Sequence, residues 1–281
     1  MKKRDSAILR FMYHTVPGRV VLKMATSRLV SRVSGAFLSS ALSKPLISSF
    51  IRKNNIDLTE CEKTKFTSFN DCFTRKIKPC ARPIDKEPDS LIAPCDGYLS
   101  AYRISGNTVI PVKQSRYNIE SLLENAELAE EYEDGLCLVF RLCVNNYHRY
   151  CYVDNGKKGD NVFIKGRLHT VRPIALETLP VFIRNCREYT VMETENFGKI
   201  VQMEVGALLV GKIKNFHGEK EVLRGEEKGM FLFGGSTIIL LIKKEEAKVA
   251  DILFERTKNG EETPVKLGQR IGISLKKKND V

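Results

Sequence analysis

Beyond Ile84 the chain breaks into short runs of β-forming residues, and this punctuation constrains its fold more than any other feature. The runs at 91–101, 136–144, 199–213 and 230–242 are rich in Val, Ile, Leu, Phe and Tyr, and Gly, Pro, Asn or Asp closes or interrupts them. Segments of this kind form strands, because branched and aromatic side chains fit a pleated surface and turn residues stop helices from propagating. The stretch 120–132, with Leu122, Leu123 and Leu128 as its apolar positions, predicts one intervening helix. An α+β fold follows, with a β-rich body behind a helical, basic N-terminal region.

Charge separates that region from the body. Residues 1–53 hold five Lys, six Arg and one acid, so they carry +10 of the chain's formal +12. Val20, Met24, Leu29, Val33, Phe37, Leu38, Leu42 and Leu46 supply an apolar flank at spacings compatible with an amphipathic helix, which Pro45 ends or kinks. Such a helix packs on its own domain, on a homodimer partner, on nucleic acid or on an anionic bilayer, where each Lys or Arg near the lipid contributes about 1 kcal/mol. With 42% hydrophobic and 28% charged residues over 281 positions, disorder is excluded and a substantial core is expected. No stretch approaches the roughly 18 apolar residues that span a bilayer. Eight cysteines without a framework of short spacings, a CxxC pair or a preceding signal sequence predict reduced thiols in a cytoplasmic setting and no metal site.

Three patches hold candidate chemistry. Ala93-Pro94-Cys95-Asp96-Gly97-Tyr98 contains an Asp-Gly pair, which alone reads as a turn. In Asn146-Tyr147-His148-Arg149-Tyr150-Cys151, one of only four histidines (14, 148, 169, 217) stands among polar and aromatic neighbours. It is a candidate acid, base or ligand, or a histidine hydrogen-bonded at a strand end. Phe233-Gly234-Gly235-Ser236-Thr237 sets a serine after two glycines between β-forming runs. That pattern suits either an ordinary hairpin or a hydroxyl free to approach the preceding carbonyl.

Taken in order, Pro94-x-Asp96-Gly97, Tyr147-His148-Arg149 and Gly235-Ser236-Thr237 resemble the phosphatidylserine decarboxylases. The segments Phe69-Asn70-Asp71-Cys72-Phe73-Thr74-Arg75, Ala81-Arg82-Pro83-Ile84, Asn185-Cys186-Arg187, Val205-Gly206-Ala207 and Gly225-Glu226-Glu227-Lys228-Gly229 extend the resemblance, as do 113–123 and 167–173, over about residues 65 to 272. It implies a self-cleaving proenzyme in which Ser236 attacks the Gly235 carbonyl and becomes a pyruvoyl group. That group would head a 46-residue α chain (236–281), with residues 1–235 left as the β chain. The pyruvoyl ketone would act as the electron sink for converting phosphatidylserine to phosphatidylethanolamine. The implied division is a membrane-associating region at 1–64, a catalytic domain at 65–275 and a polar tail at 276–281. The implied partners are an anionic phospholipid membrane, reached peripherally from the cytoplasmic face, and no nucleic acid.

By the same resemblance Asp96 and Ser236 belong to a Ser-His-Asp triad, and His148 handles substrate as the first histidine of Tyr-His-Arg-x-His. The second histidine, the family's base for self-cleavage, is replaced here by Cys151. A thiol is mostly protonated near neutral pH, and an Asp96 carboxylate nearby would push its pKa higher. Three outcomes remain open: Cys151 is a slower base, His148, His169 or His217 takes the role, or the chain stays an uncleaved lipid-binding homologue. A pyruvoyl decarboxylase for another amine substrate is a further alternative.

Overall fold

The computed structural model of the protein describes residues 28–104, 109–112, 115–166, 185–206, 212–233 and 236–276, together with positions 11, 15, 17, 18 and 183. Near the N-terminus lie α1 (Arg28–Ser39), a short 3-10 turn (Ala41–Ser43), α2 (Pro45–Asn54) and α3 (Phe69–Phe73). Pro45 opens α2 at its first turn, where the missing N–H costs no hydrogen bond, so the predicted interruption falls between two helices.

The body contains β1 (Ser90–Ile92), β2 (Gly97–Arg103), β3 (Val109–Val112), β4 (Ser115–Asn118), α4 (Ile119–Leu123), α5 (Ala126–Glu130), β5 (Leu136–Leu142), β6 (Arg149–Cys151), β7 (Gly156–Lys158) and β8 (Val162–Ile164). It continues through β9 (Arg187–Thr194), β10 (Gly198–Gly206), β11 (Ile213–Asn215), β12 (Lys220–Val222), β13 (Glu227–Phe231), β14 (Ser236–Ile242), β15 (Ala247–Val249), α6 (Asp251–Lys258), β16 (Thr263–Val265) and β17 (Arg270–Ser274). The central sheet is antiparallel in the order β12-β7-β9-β10-β14-β5-β2-β16, with β8 also on β9. Smaller sheets, β1-β17-β15 and β11-β13-β6, accompany it.

The β-rich expectation holds, with two corrections. The segment 120–132 forms two helices, because Glu124 adopts the left-handed region (φ 51) and Asn125 caps α5 by accepting from Leu128 N. An Asn in that position favours a new helix start over continuation. The run 230–242 is likewise two strands in different sheets: β13 pairs with β11 and β6, whereas β14 pairs with β10 and β5. β13 and β14 are therefore not the two strands of a hairpin.

Every residue of β14 is buried. Ile239 and Leu241 join one core with Cys137, Val139 and Met203, while Ile238, Leu240 and Ile242 join another with Leu99, Phe140 and Phe231. A strand covered on both faces needs no polar alternation, which explains the unbroken apolar run; each such side chain contributes about 1.5–3 kcal/mol. A third cluster anchors the N-terminal region, with Leu38 and Ile47 packing against Phe69, Cys72 and Phe73. The expected apolar flank is thus divided. Val33, Phe37, Leu42 and Leu46 remain exposed, and Val20, Met24 and the Leu29 side chain lie outside the described residues.

Candidate active site

Four strand ends meet at one edge of the central sheet. Ser236, the first residue of β14, pairs with Leu142 at the end of β5 and with Gly206 at the end of β10. On the far side of β5, β2 starts at Gly97, where a Cβ would lie 2.9 Å from the Arg141 carbonyl oxygen. Glycine is required there by the closeness of the neighbouring backbone. With strands about 4.8 Å apart, Gly97 and Ser236 stand about 10 Å from each other, and Asp96 precedes that row. Asp96 and Ser236, far apart in sequence, thus share one sheet edge.

Asp96 is nearly buried, and its carboxylate is fixed by Arg82. Arg82 Nε donates to Oδ1 at 2.8 Å and Nη2 to Oδ2 at 2.7 Å, while Leu267 N donates to Oδ1 at 3.0 Å. The contact with Asp96 holds the guanidinium above its ordinary pKa. Ser236 has no exposed surface, and strand alternation directs it to the face of Ile238 and Leu240, the cluster that includes Tyr150 and Cys151.

His148 is also fully buried, with its ring 3.9 Å from the Phe73 ring centre. Its Nδ1 lies 3.0 Å from the Asn146 carbonyl oxygen, an acceptor, so Nδ1 carries the proton and Nε2 presents a bare lone pair. Nε2 has no hydrogen-bond partner among the described residues. Burial lowers the pKa to about 3, which keeps the imidazole neutral at ordinary pH. Phe233, three residues before Ser236, packs on the same Phe73 ring at 5.1 Å.

Cys151 is buried in β6, held by Cys151 N donating to Pro94 O at 2.9 Å and by Gln202 Nε2 donating to Cys151 O at 3.1 Å. Its thiol is pushed up to about 12, first by burial and then by the Glu227 carboxylate. The expected direction holds, but the cause differs: Asp96 is engaged by Arg82. Two adjoining clefts open beside these residues. The larger, about 490 Å³, is lined by Arg75, Arg82, Asp96, Asn145, Tyr147 and Lys266, and the smaller, about 250 Å³, by Arg82, Tyr147, Arg149, Cys151 and Glu227.

The structure therefore places Asp96 and Cys151 on adjoining clefts and buries Ser236 and His148, with Ser236 two strands away from the start of β2 that follows Asp96. Gly235, His14 and His169 lie outside the described residues. His217 meets Tyr152 OH at 3.2 Å and Glu226 at 3.9 Å. Sequence reasoning placed Arg82, Asn70 and Phe73 in noteworthy segments without giving them roles. It missed the buried pair formed by Lys228 Nζ and Glu204 Oε2 at 2.6 Å, which no local spacing announces. Burial raises the Glu204 pKa and lowers that of Lys228.

A sequence profile described as phosphatidylserine decarboxylase matches residues 69–273. The chain is 45% identical over 272 residues to phosphatidylserine decarboxylase proenzyme 2 of Clostridium acetobutylicum, covering 96% of this chain and 93% of that one. It is 42% identical to the Clostridium perfringens proenzyme, covering 94% and 92% of the two chains. The Ruminiclostridium cellulolyticum proenzyme is 40% identical, with 96% and 92% covered.

Proposed function

The chain belongs to the phosphatidylserine decarboxylase family, and from that membership we propose that it is a proenzyme whose Ser236 makes a pyruvoyl group for the decarboxylation of phosphatidylserine to phosphatidylethanolamine. Ser236 Oγ adds to the Gly235 carbonyl carbon, the Gly235–Ser236 C–N bond breaks, and an ester replaces the amide. Loss of the Ser236 α-proton expels the Gly235 carboxylate, and water then releases ammonia to leave a ketone at residue 236. What supports this reading is the location of Ser236: it opens a central strand between the ends of β5 and β10, at the edge shared with Asp96.

The residues present suit such a group. The bare, buried Nε2 of His148 is a proton acceptor at every ordinary pH, and we assign it the Oγ proton, which passes to the departing nitrogen. The weak basicity of this imidazole suffices for one intramolecular cleavage in the protein's lifetime. In this reading Cys151, its thiol pushed up to about 12 by burial, takes no part in that proton transfer. Once formed, the pyruvoyl ketone supplies an acceptor for the electron pair released as CO2 leaves. Arg82 keeps the Asp96 carboxylate fixed in the larger cleft, which Lys266 also lines, so a headgroup bearing both ammonium and anionic groups meets charges of both signs.

The lipid surface is part of the reading. Val33, Phe37, Leu42 and Leu46 are exposed within the segment that carries +10, an arrangement suited to a peripheral position on an anionic bilayer. Among the described residues no helix is long and apolar enough to cross a membrane. The test is CO2 release from phosphatidylserine vesicles and from free serine. Wild-type protein should act on the vesicles, and Ser236→Ala on neither; a Phe37→Asp/Leu42→Asp variant should lose vesicle binding. Equal turnover of free serine would contradict the lipid assignment.

A further inference from the structure

The segment Phe69-Asn70-Asp71-Cys72-Phe73-Thr74-Arg75 has no part in the chemistry above, yet it touches both loops that carry that chemistry. Asn70 is nearly buried on α3. Its Oδ1 accepts a hydrogen bond from Phe233 N at 3.1 Å, and its Nδ2 donates to Ser39 Oγ, at the end of α1, at 2.8 Å. The Phe233 ring stands edge-on to Phe69 at 4.9 Å and to Phe73 at 5.1 Å. Beyond α3, Arg75 Nη2 donates to the carbonyls of Asn145 and Asn146 at 3.1 and 3.3 Å, and Thr74 O accepts from Arg149 Nε at 2.8 Å. Phe73 itself packs against His148. One short helix and its flank therefore hold the segment before Ser236 and the loop bearing His148.

We propose that Asn70 is a positioning residue for self-cleavage, fixing Phe233 so that only Gly234 and Gly235 span the gap to Ser236, and that Ser39 extends this clamp to the N-terminal arm. The proposal rests on Gly235–Ser236 being the bond that is cut. An acyl shift requires Oγ and the carbonyl carbon to be held about 3 Å apart, which calls for backbone fixed on both sides of the reacting bond. The described residues on either side of that bond are held in place. Leu232 N donates to Lys212 O, Phe233 N donates to Asn70, and Ser236 is locked between β5 and β10. The arm meets α3 again where Ser43 Oγ accepts from Phe69 N at 2.9 Å.

The experiment follows pulse-labelled full-length precursor and measures the first-order appearance of the chain that starts at residue 236. Asn70→Ala should slow cleavage about tenfold, equivalent to about 1.4 kcal/mol in the barrier. Asn70→Asp keeps the acceptor oxygen for Phe233 N and should stay within about threefold of wild type. Ser39→Ala should slow cleavage modestly, and adding it to Asn70→Ala should slow it no further, because Ser39 acts through Asn70. Thermal unfolding of each variant in a Ser236→Ala background checks that the fold is intact. If Asn70→Ala destabilises the fold, the exposed Ser39→Ala and the Asp variant carry the test. Wild-type cleavage rates in Asn70→Ala, or rates in Asn70→Asp as slow as in Asn70→Ala, would overturn the clamp while the cleavage site stands. An uncut wild-type chain would overturn both.

Discussion

Arg82 holds Asp96 by two parallel hydrogen bonds of 2.8 and 2.7 Å, and the same guanidinium reaches Glu60 at 3.0 Å. Removing the arginine leaves a nearly buried carboxylate whose strongest partner is gone. Arg82→Met is expected to cost about 3–5 kcal/mol, and Arg82→Lys somewhat less because a lysine cannot bond in a bidentate manner. Urea unfolding of the Ser236→Ala precursor measures both. A loss below about 1 kcal/mol in Arg82→Met would contradict the role given to this pair.

His148 makes stability depend on pH in a definite direction. The unfolded chain binds a proton at this residue below about 6.5, the folded chain only below about 3. Folding stability therefore rises with pH across that window and is lost as pH falls through it, by up to about 1.4 kcal/mol per pH unit. His148→Gln removes this contribution. The stability difference between the parent and His148→Gln, measured by denaturant titration from pH 4.5 to 7, should shift in favour of the parent as pH rises. A difference independent of pH would show that the imidazole is not buried in its neutral form.

Cys151 should behave as an inert thiol. Burial and Glu227 hold it at about 12, whereas Cys80 is exposed. Treating the folded protein with a thiol reagent at pH 8 and mapping peptides by mass should show Cys80 modified and Cys151 intact. Self-cleavage of Cys151→Ala should proceed within about threefold of the wild-type rate, while His148→Ala should be uncut. Loss of cleavage in Cys151→Ala would return the base to Cys151.

Lys228 and Glu204 pair at 2.6 Å with no exposure on either side chain, and Asn215 bonds to both. Lys228→Met strands a carboxylate and should destabilise the protein by about 3–5 kcal/mol. Adding Glu204→Gln should recover a large part of that loss. Chemical denaturation of the two single variants and the double variant forms a cycle whose coupling energy tests the pair. Additive effects would contradict it.

The β-rich body was legible because its apolar runs are short and punctuated, and the central strand β5 falls inside the predicted run 136–144. What stayed hidden depended on distant partners. The run 230–242 looked continuous, yet β13 and β14 belong to different sheets, a separation decided by pairing with β6 and β5. The patches holding Asp96, His148 and Ser236 stood out by residue type, but their joint role came from family resemblance, since only the register of β2, β5 and β14 brings Asp96 and Ser236 to one edge. Arg82 stood in a noted segment, but its role needed Asp96 folded against it. Asn70 gave no local sign of its purpose, because Ser39 and Phe233 approach it from opposite ends of the sequence.

The intact mass of the purified protein under denaturing, reducing conditions, beside Ser236→Ala, decides whether the Gly235–Ser236 bond is cut. Self-cleavage gives two chains for the wild type, residues 1–235 and a 46-residue chain (236–281) whose first residue carries a ketone in place of the amine, and leaves a single uncut chain for Ser236→Ala. A wild-type protein that remains one chain of 281 residues would contradict it.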